Sequence, residues 1–413
     1  MLHDFTPGAA DVIQSGPQTA YIGFDPTAPS LTIGNYVQIM LLRMWQMSGH
    51  KPIFLLGGAT GRIGDPSGKD KERMLKSEEE LDINLNFQKK QAEKFLDFSD
   101  VPNKAIFLNN YDFYKDMNVL NFLRDIGKNL TVSYMLSKES VKRRLETGLS
   151  FTEFSYQLLQ ANDFLHLYRH HDCKFQFGGS DQWGNITSGT EFIRRNLDSK
   201  AYALTSKLLT RSDGKKFGKS EEGNIWLDPN LTSPYKFYQF WLNADDADLG
   251  QYLRFFSLKS QPEIEQMEND LKDDPRTLKK LLAEELTIRI HSEEAHSAVM
   301  SVSEILFNHR ASREYLMSLD DTIFAAIQNE LSTFSIDSDA FSKGIDILSL
   351  LSEHTSISSS KGEARRAIGN NAVAINKQKV SKIETTTQRD DLIHGKYLLV
   401  ENGKKNKFLI VVE

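Results

Sequence analysis

A polar loop rich in lysine and glycine is the first feature that could carry chemistry. Residues 211–224 read RSDGKKFGKSEEGN, with Lys216 and Lys219 on either side of Gly218. Ser-Asp-Gly is a turn signal, and the glycines interrupt both helix and strand periodicity. A lysine cluster of this kind is usually a solvated surface, whereas a glycine-hinged loop could also close over a polyanion. The stretch alone leaves both interpretations open.

A second candidate is a polar stripe on an otherwise apolar helix. In SFTEFSYQLLQANDFLHLY (150–168), Tyr156, Gln160 and Asp163 stand at i, i+4 and i+7 and share one face. Such a stripe is either the wet side of the helix or a pocket wall that offers a phenol, an amide and a carboxylate. The helix leads directly into an apparent core strand, and the residues alone favour neither interpretation.

Two glycine-containing turns could bind phosphate, although each is a weak signal. GGATGRIGDPSGK (57–69) lacks the Gly-Lys-Ser/Thr order of a P-loop. DPTAPSLTIGN (25–35) follows an apolar run and opens a helix at Gly34-Asn35, and a helix N-terminus preceded by small residues suits a nucleotide.

Strand and helix signals alternate through the first half of the chain, which predicts an α/β fold. Short apolar runs that end in turn residues predict strands at 19–25, 51–60, 105–110, 173–179 and 201–206. This alternation is typical of a parallel, doubly wound sheet, whose ligands bind beyond the carboxyl ends of the strands.

The second half has a different organisation. Residues 233–307 have helical patterns throughout, and 331–344 are polar enough to predict a linker. Ser360 and Glu363 have capping-box spacing, which predicts a helix start that points two following arginines outward.

Composition indicates an ordinary globular protein of two or three domains. The chain has 413 residues, of which 39% are hydrophobic and 26% charged. A single cysteine, Cys173, excludes an internal disulfide and a thiolate zinc cluster, and it fits a reducing cytoplasm. Because no apolar run of membrane-spanning length occurs, we expect a cytoplasmic protein without membrane contact.

Charge is distributed unevenly along the chain. The net charge is -6, but residues 361–413 carry 11 basic and 6 acidic side chains, against 39 and 50 in the rest. A basic C-terminal piece on an acidic body predicts a local polyanion contact.

Taken together and in order, the motifs resemble bacterial tyrosyl-tRNA synthetases. The motifs are YIGFDPTAPSLTIGN, GGATGRIGDPSGK, FTEFSYQLLQANDF, GGSDQWGNI and KFGKS, and the SKGEARRAI…VAINKQKV tail is similar to a small RNA-binding fold of a ribosomal protein. The resemblance covers nearly the whole chain. It implies a Rossmann-type catalytic domain (1–222), a helical anticodon-binding domain (223–335) and a C-terminal small α/β RNA-binding domain (340–413).

The resemblance also implies an activity, its substrates and its partners. Tyrosine and ATP would give tyrosyl-adenylate and pyrophosphate, and tyrosine would then pass to the terminal ribose of its tRNA. The substrate carboxylate is the nucleophile, so catalysis consists of alignment and charge stabilisation. Mg²⁺ would accompany the phosphates without a protein-bound metal, and the chain would form a homodimer.

The matched motif positions imply site residues for tyrosine. The phenol would contact Tyr21 and Asp163, and the carboxylate would contact Gln182. The ammonium group would contact Asp65, Tyr156 and Gln160.

Further motif positions imply contacts to ATP and RNA. The ribose would meet Gly179 and Asp181, and Gly23, Asp25 and Gly34 would also contact ATP. The phosphates would be approached by Thr27, Thr32, Asn35, Lys69 and Arg73, and the pyrophosphate would be covered by Lys216, Lys219 and Ser220. RNA contacts would come from Lys361, Arg365 and Arg366.

One motif departs from the family pattern. The first signature is usually His-x-Gly-His, and here it is Thr32-Ile33-Gly34-Asn35. Both replacements keep a hydrogen-bond donor, and we expect Thr32 to donate to a phosphate oxygen.

Two alternatives stay open. A tryptophanyl enzyme shares the fold, although Tyr21 and Asp163 suit a hydroxyl better than an indole. A non-catalytic RNA-binding paralogue would have no use for the lysine loop, but it would explain the altered signature.

Overall fold

The computed structural model describes residues 1–67, 74–214, 217–220, 223–308, 311–403 and 406–413, without the Ser220 side chain. These residues form two compact units. The first comprises Met1–Thr232 with Phe240–Leu282, and the second comprises Ser233–Gln239 with Ala283–Glu413. The three-domain division made from the sequence stays a prediction.

The first unit is built on a six-stranded sheet with the order β1-β6-β5-β2-β3-β4. All neighbours are parallel except β1, which pairs antiparallel with β6 at one edge. The sequence predicted the five parallel strands and missed β1. The strands are β1 Leu2–Phe5, β2 Thr19–Phe24, β3 Lys51–Leu56, β4 Ile106–Asn109, β5 Cys173–Gly179 and β6 Tyr202–Ser206, with a small hairpin of β7 Lys219–Ser220 and β8 Gly223–Asn224.

Helices connect these strands and fill the stretch that follows them. None in the described ranges is long and apolar enough to cross a membrane. The helices up to residue 290 are α1 Ala9–Gln14, α2 Ile33–Met47, α3 Glu78–Ala92, α4 Tyr111–Tyr114, α5 Val119–Asn121, α6 Val132–Leu136, α7 Glu139–Leu145, α8 Phe151–His171, α9 Trp183–Leu197, α10 Pro234–Leu242, α11 Asp246–Phe256, α12 Gln261–Asp270 and α13 Pro275–Ile290, with short 3-10 turns at Thr60–Arg62 and Ser180–Gln182.

Both faces of the parallel sheet are covered, as the doubly wound prediction requires. On one face Trp45 of α2 packs against Phe175 and Phe177 of β5, with ring centroids 5.6 and 5.0 Å apart. On the other face Phe164 of α8 packs on Tyr21, 5.3 Å away. Burial of these aromatic rings stabilises the layers and fixes the polar face of α8 against the ends of the strands.

The second unit contains a five-stranded sheet with the order β12-β11-β14-β15-β9. The predicted linker is wrong in part, because Ser332–Ile336 forms β9, which pairs in parallel with β15. The elements are α14 Glu293–Phe307, α15 Arg313–Met317, α16 Asp321–Glu330, α17 Ser338–Phe341, α18 Ile347–Ser352, α19 Lys361–Gly369, β9 Ser332–Ile336, β10 Ile345–Asp346, β11 Val373–Ile375, β12 Gln378–Lys379, β13 Thr386–Thr387, β14 Tyr397–Asn402 and β15 Asn406–Val412.

Two buried clusters hold this sheet. Leu399 and Leu409 share one cluster with Val302, Ile305 and Phe324 of the preceding helices. Other residues of the same two strands, among them Leu398 and Ile410, pack with α18 and α19 in the second cluster. The sheet therefore has helices on both faces.

Candidate active site

A cavity of about 540 Å³ lies at the carboxyl ends of β2 and β5. This is where the strand order of a doubly wound sheet reverses and where ligands of such folds bind. The residues named from the sequence that line it are Tyr21, Gly23, Asp25, Thr27, Thr32, Gly34, Asn35, Asp65, Tyr156, Gln160, Asp163, Gly179, Asp181, Gln182 and Lys219. Lys69, Arg73 and Lys216 lie outside the described residues, as does the side chain of Ser220.

At the base of the cavity a buried carboxylate faces a buried phenol. Asp163 is 2% exposed, and its two oxygens accept hydrogen bonds from Asn110 Nδ2 at 2.9 Å and Tyr114 Oη at 2.7 Å. The Tyr21 hydroxyl is also buried, and it has no hydrogen-bond partner among the residues that the structure describes. An unpartnered buried hydroxyl is costly unless a ligand satisfies it.

Burial dominates the electrostatics of this base. Burial raises the pKa of Asp163, the hydrogen bonds from Asn110 and Tyr114 lower it, and the Asp25 carboxylate raises it, so that the pKa is about 7. Burial, together with the nearby Asp163, also raises the pKa of Tyr21 well above its ordinary value. Tyr21 therefore stays a neutral donor, while Asp163 can change charge near neutral pH.

A second carboxylate, Asp65, sits in a network of amides. It accepts hydrogen bonds from Gln182 Nε2 at 2.7 Å and Asn185 Nδ2 at 3.2 Å, and from the Ser67 amide at 2.9 Å. The network holds the Asp65 carboxylate at the cavity wall, where it can meet a cationic ligand group. Gln160 lies in the same wall, and its buried Oε1 lacks a partner within the described part of the chain.

A third carboxylate follows β2. Asp25 accepts hydrogen bonds from Thr60 Oγ1 at 2.7 Å and Tyr156 Oη at 3.0 Å. The polar stripe on α8 is thus a pocket wall, because Tyr156, Gln160 and Asp163 all line the cavity.

The altered first signature forms the start of α2. Thr32 is the N-cap: its hydroxyl accepts from the Asn35 amide at 3.2 Å and donates to Asn35 Oδ1 at 2.8 Å. The expected contact of Thr32 with a phosphate stays a prediction, and it would require the hydroxyl to turn away from Asn35 Oδ1. Asn35 Nδ2 makes no hydrogen bond within the described residues and remains available to a ligand.

The second signature loop is joined to the first. The Ile33 amide donates to Ile225 O at 2.9 Å, and the Ile225 amide donates to Gly218 O at 3.0 Å. Gly218 has φ +79°, and a Cβ there would lie 2.9 Å from Ile33 Cγ2. Glycine is therefore required twice, by backbone conformation and by the close approach that brings Lys219 to the cavity.

Sequence reasoning missed several residues of the site. Asn110, Gln176 and Lys207 line the cavity, and Tyr114 and Asn185 hold its carboxylates. Asn110 had a usable signal, since it is the polar residue that ends a predicted parallel strand. Tyr114 had none, because its role depends on how α4 packs against α8.

The residues expected to contact RNA lie in the second unit, on α19. Arg365 and Arg366 are exposed, and Lys361 forms an ion pair with Glu353 at 2.9 Å. Ser360 is the N-cap and accepts from the Glu363 amide at 3.2 Å, which confirms the predicted helix start, but the Glu363 side chain accepts from the Ser359 amide and not from Ser360. The two arginines lie beyond the first turn of α19, and their side chains are exposed to solvent.

Comparison with known proteins places these features in a family. The model of "tRNA synthetases class I (W and Y)" matches residues 14–308. The model of the "Tyrosine--tRNA ligase SYY-like C-terminal domain" matches residues 327–410.

Individual relatives agree. Proteins named Tyrosine--tRNA ligase from Porphyromonas gingivalis and Bacteroides fragilis are 50% and 49% identical to this chain over 420 residues, covering 100% of it and 97% of each relative. The structure of a C-terminally truncated Aspergillus nidulans mitochondrial tyrosyl-tRNA synthetase has a TM-score of 0.66 at 30% identity, covering 74% of this chain and 91% of that one. The corresponding Coccidioides posadasii structure has a TM-score of 0.62 at 27% identity, covering 72% and 88%.

The chain belongs to the class I tRNA synthetases of the tryptophan and tyrosine type, and it is an aminoacyl-tRNA synthetase. The resemblance stated from the sequence motifs is confirmed.

Proposed function

We propose that this synthetase joins tyrosine to its tRNA in two steps at the cavity. A tyrosine carboxylate oxygen attacks the α-phosphorus of ATP, forming tyrosyl-adenylate and releasing pyrophosphate. A hydroxyl of the 3′-terminal ribose of the tRNA then attacks the carbonyl carbon of the adenylate, and AMP leaves. The half-identical relatives named Tyrosine--tRNA ligase support this assignment.

The pair Tyr21 and Asp163 is the observation that carries the choice of tyrosine. A phenol hydroxyl both donates and accepts, so it can donate to the Asp163 carboxylate while it accepts from Tyr21. An indole N–H can only donate and would leave the buried Tyr21 hydroxyl unsatisfied. Phenylalanine would leave the buried Tyr21 hydroxyl without a partner and would give the Asp163 carboxylate no hydrogen from the ligand.

The remaining groups of the amino acid meet the wall of the cavity. The ammonium group is bound by the Asp65 carboxylate and the open Gln160 Oε1, with Tyr156 beside them. Gln182, which already donates to Asp65, lies next to the substrate carboxylate. These contacts orient the nucleophilic oxygen toward ATP, and such positioning is the main contribution that a protein makes to this type of reaction.

ATP occupies the end of the cavity formed by the two signatures. Gly23, Asp25, Gly34 and Gly179 contact the nucleotide, Asp181 contacts its ribose, and Thr27 and Asn35 contact its phosphates. Lys219 acts on the charge that develops on pyrophosphate, and we assign Lys216, Ser220, Lys69 and Arg73 to the same task. Mg²⁺ bound to the phosphates would neutralise part of their charge.

The second unit supplies the RNA contact. Lys361, Arg365 and Arg366 of α19 bind tRNA phosphates, supported by the positive charge of residues 361–413. The reaction takes place in the cytoplasm, where charged tRNA is used.

A homodimer is supported by apolar side chains on the surface of the first unit. Val119, Leu120, Val132 and Phe151 are 68, 73, 62 and 72% exposed, within one 33-residue stretch. Exposed apolar side chains concentrated in this way mark interaction surfaces. Sedimentation of wild type and Leu120→Asp measures the assembly, and we expect the variant to be monomeric.

Amino-acid-dependent pyrophosphate exchange on the purified chain, followed by tRNA charging, tests the function. We expect exchange with tyrosine and little with phenylalanine or tryptophan. Faster exchange with tryptophan would assign the chain to the other branch of its family. Tight RNA binding without exchange would identify the non-catalytic paralogue.

A further inference from the structure

The hydroxyl of Tyr114 lies beneath the cavity and contacts three polar groups. It lies 2.7 Å from Asp163 Oδ1 and 2.8 Å from the carbonyl oxygen of Leu159, and it accepts a hydrogen bond from Asn162 Nδ2 at 3.2 Å. When Asp163 is ionised, its carboxylate and the Leu159 carbonyl are both acceptors.

A phenol has only one hydrogen, so Tyr114 can donate to only one of these acceptors. If Asp163 is ionised, the hydrogen goes to the carboxylate, since hydrogen bonds to charged acceptors are stronger. Loss of the Tyr114 hydrogen bond leaves the Leu159 carbonyl still paired, because this carbonyl lies in a helix and accepts from the amide four residues later. If Asp163 is protonated, its own hydrogen occupies the contact and Tyr114 turns to Leu159.

The other side of Asp163 has a fixed donor. The Asn110 amide is oriented by the Ala59 amide, which donates to Asn110 Oδ1 at 2.7 Å, so that Asn110 Nδ2 must face Asp163 and Thr60. Asn110 therefore donates to Asp163 in either protonation state. Of the two hydrogen bonds that the protein makes to Asp163, only the one with Tyr114 can exchange its donor and acceptor.

We propose that Tyr114 is a positioning residue for tyrosine recognition, and that its hydroxyl selects the ionised form of Asp163, which accepts the hydrogen of the substrate phenol. The inference rests on the proposed tyrosine specificity. It adds a residue that does not touch the substrate and a dependence of tyrosine affinity on pH.

The groups that face Asp163 set the direction of the effect. From β2 and its turn come Tyr21 and Asp25, and from α4 comes Tyr114. Burial and Asp25 raise the pKa of Asp163, and the Tyr114 hydrogen bond lowers it. Removal of that hydroxyl therefore raises the pKa of Asp163 above about 7, and the variant needs a higher pH to bind tyrosine.

Equilibrium dialysis of labelled tyrosine without ATP, from pH 5.5 to 8.5, tests this. The variant is Tyr114→Phe. The control is Tyr134→Phe, which removes a hydroxyl that bonds Lys138 at 2.8 Å and does not line the cavity. Ratios of Kd between proteins at the same pH cancel the titration of the tyrosine amino group.

We expect the wild-type Kd to rise as the pH falls below about 7. If the hydroxyl changes the pKa of Asp163 by about one, the Kd of Tyr114→Phe should be about eightfold higher than wild type at pH 6.5 and within about twofold at pH 8.5. The Tyr134→Phe ratio should stay near one throughout.

Three outcomes would overturn the proposal. A ratio for Tyr114→Phe that is the same at every pH would show a merely structural role, and a ratio of one would show no role. A wild-type Kd that does not depend on pH would exclude the proposal even if the variant failed to fold. Absence of tyrosine binding by wild type at every pH would instead contradict the proposed function.

Discussion

Asp163 recognises the substrate, but its ionised form destabilises the protein when no substrate is bound. Its pKa of about 7, against an ordinary 3.8, means that the folded chain binds a proton between these values that the unfolded chain does not. The stability that this proton contributes is fully present below pH 3.8 and is lost as the pH rises through about 7. The loss amounts to at most about 4 kcal/mol.

Asp163→Asn should therefore stabilise the empty protein at pH 8 while it weakens tyrosine binding. Asparagine reproduces the protonated carboxyl, because its oxygen can accept from Asn110 and its amide can donate to Tyr114. Urea unfolding at several pH values measures the effect. The free energy of unfolding of the variant should exceed that of wild type by an amount that grows between pH 4 and 7. Asp100→Asn is the control and should change the free energy of unfolding little, because its side chain is 99% exposed and its surface ion pair with Lys104 contributes little to stability.

Thr32 and Asn35 act as one unit, since each side chain bonds the other. Thr32→Ala removes an N-cap and should lower the free energy of unfolding by about 1 kcal/mol. The double variant Thr32→Ala with Asn35→Ala should lose less free energy of unfolding than the two single variants together, because either change alone already removes the shared hydrogen bonds. Additive costs would show that the two side chains act separately.

The same variants separate capping from catalysis. Asn35→Ala should slow pyrophosphate exchange more than Thr32→Ala, because Asn35 Nδ2 is open to the cavity whereas the Thr32 hydrogen is taken by Asn35. Ser77→Ala removes a matched cap from α3, where Ser77 accepts from the Glu80 amide. It should lower stability without slowing exchange. Equal exchange rates for all variants would show that Thr32 and Asn35 only start the helix and have no role in catalysis.

At the scale of elements, the two signatures form one structure through Gly218. Gly218→Ala should slow exchange strongly while leaving tyrosine binding nearly unchanged, because a Cβ would displace the loop from Ile33. Gly214→Ala is a matched control: its φ is +78° against +79° at Gly218, but apart from its chain neighbours no atom of the described residues lies within 4 Å of its Cβ position. It has the same backbone strain without the clash, so an equal loss of exchange in both variants would attribute the effect to strain alone.

The elements that could be predicted from the sequence are those whose burial is local. β2, β3 and β5 are covered on both faces and read as apolar runs. β1 was missed because all four of its residues are exposed. β9 was missed because STFSI alternates weakly and its partner β15 begins at Asn406, too far along the chain for a local pattern to show.

The site divides in the same way. Tyr156, Gln160 and Asp163 were found because helical spacing alone places them on one face. Tyr114 bonds Asp163 across 49 residues, and no spacing rule connects α4 with α8. The capping role of Thr32 was missed because the sequence predicted a helix start at Gly34-Asn35, whereas α2 begins at Ile33 and has Thr32 as its N-cap.

At the scale of the molecule, the C-terminal segment is part of a core that begins before residue 331. Val302, Ile305 and Phe324 share a buried cluster with β14 and β15. A chain that ended near residue 343 would lose both strands and expose these side chains. Poor tRNA charging by such a truncation would therefore not distinguish lost RNA contacts from a damaged core.

Point changes on α19 avoid that ambiguity. Arg365→Ala with Arg366→Ala removes two exposed charges, while Ala364 and Ile368, the buried face of the helix, stay in place. If both arginines contact phosphates, the KM for tRNA should rise, and the slope of log affinity against log salt should become shallower by about two. Pyrophosphate exchange should be unchanged, since it needs no tRNA. Lys90→Ala with Lys94→Ala removes the same charge from exposed positions of the first unit; a salt slope equal to that of this control would show that α19 does not touch the RNA.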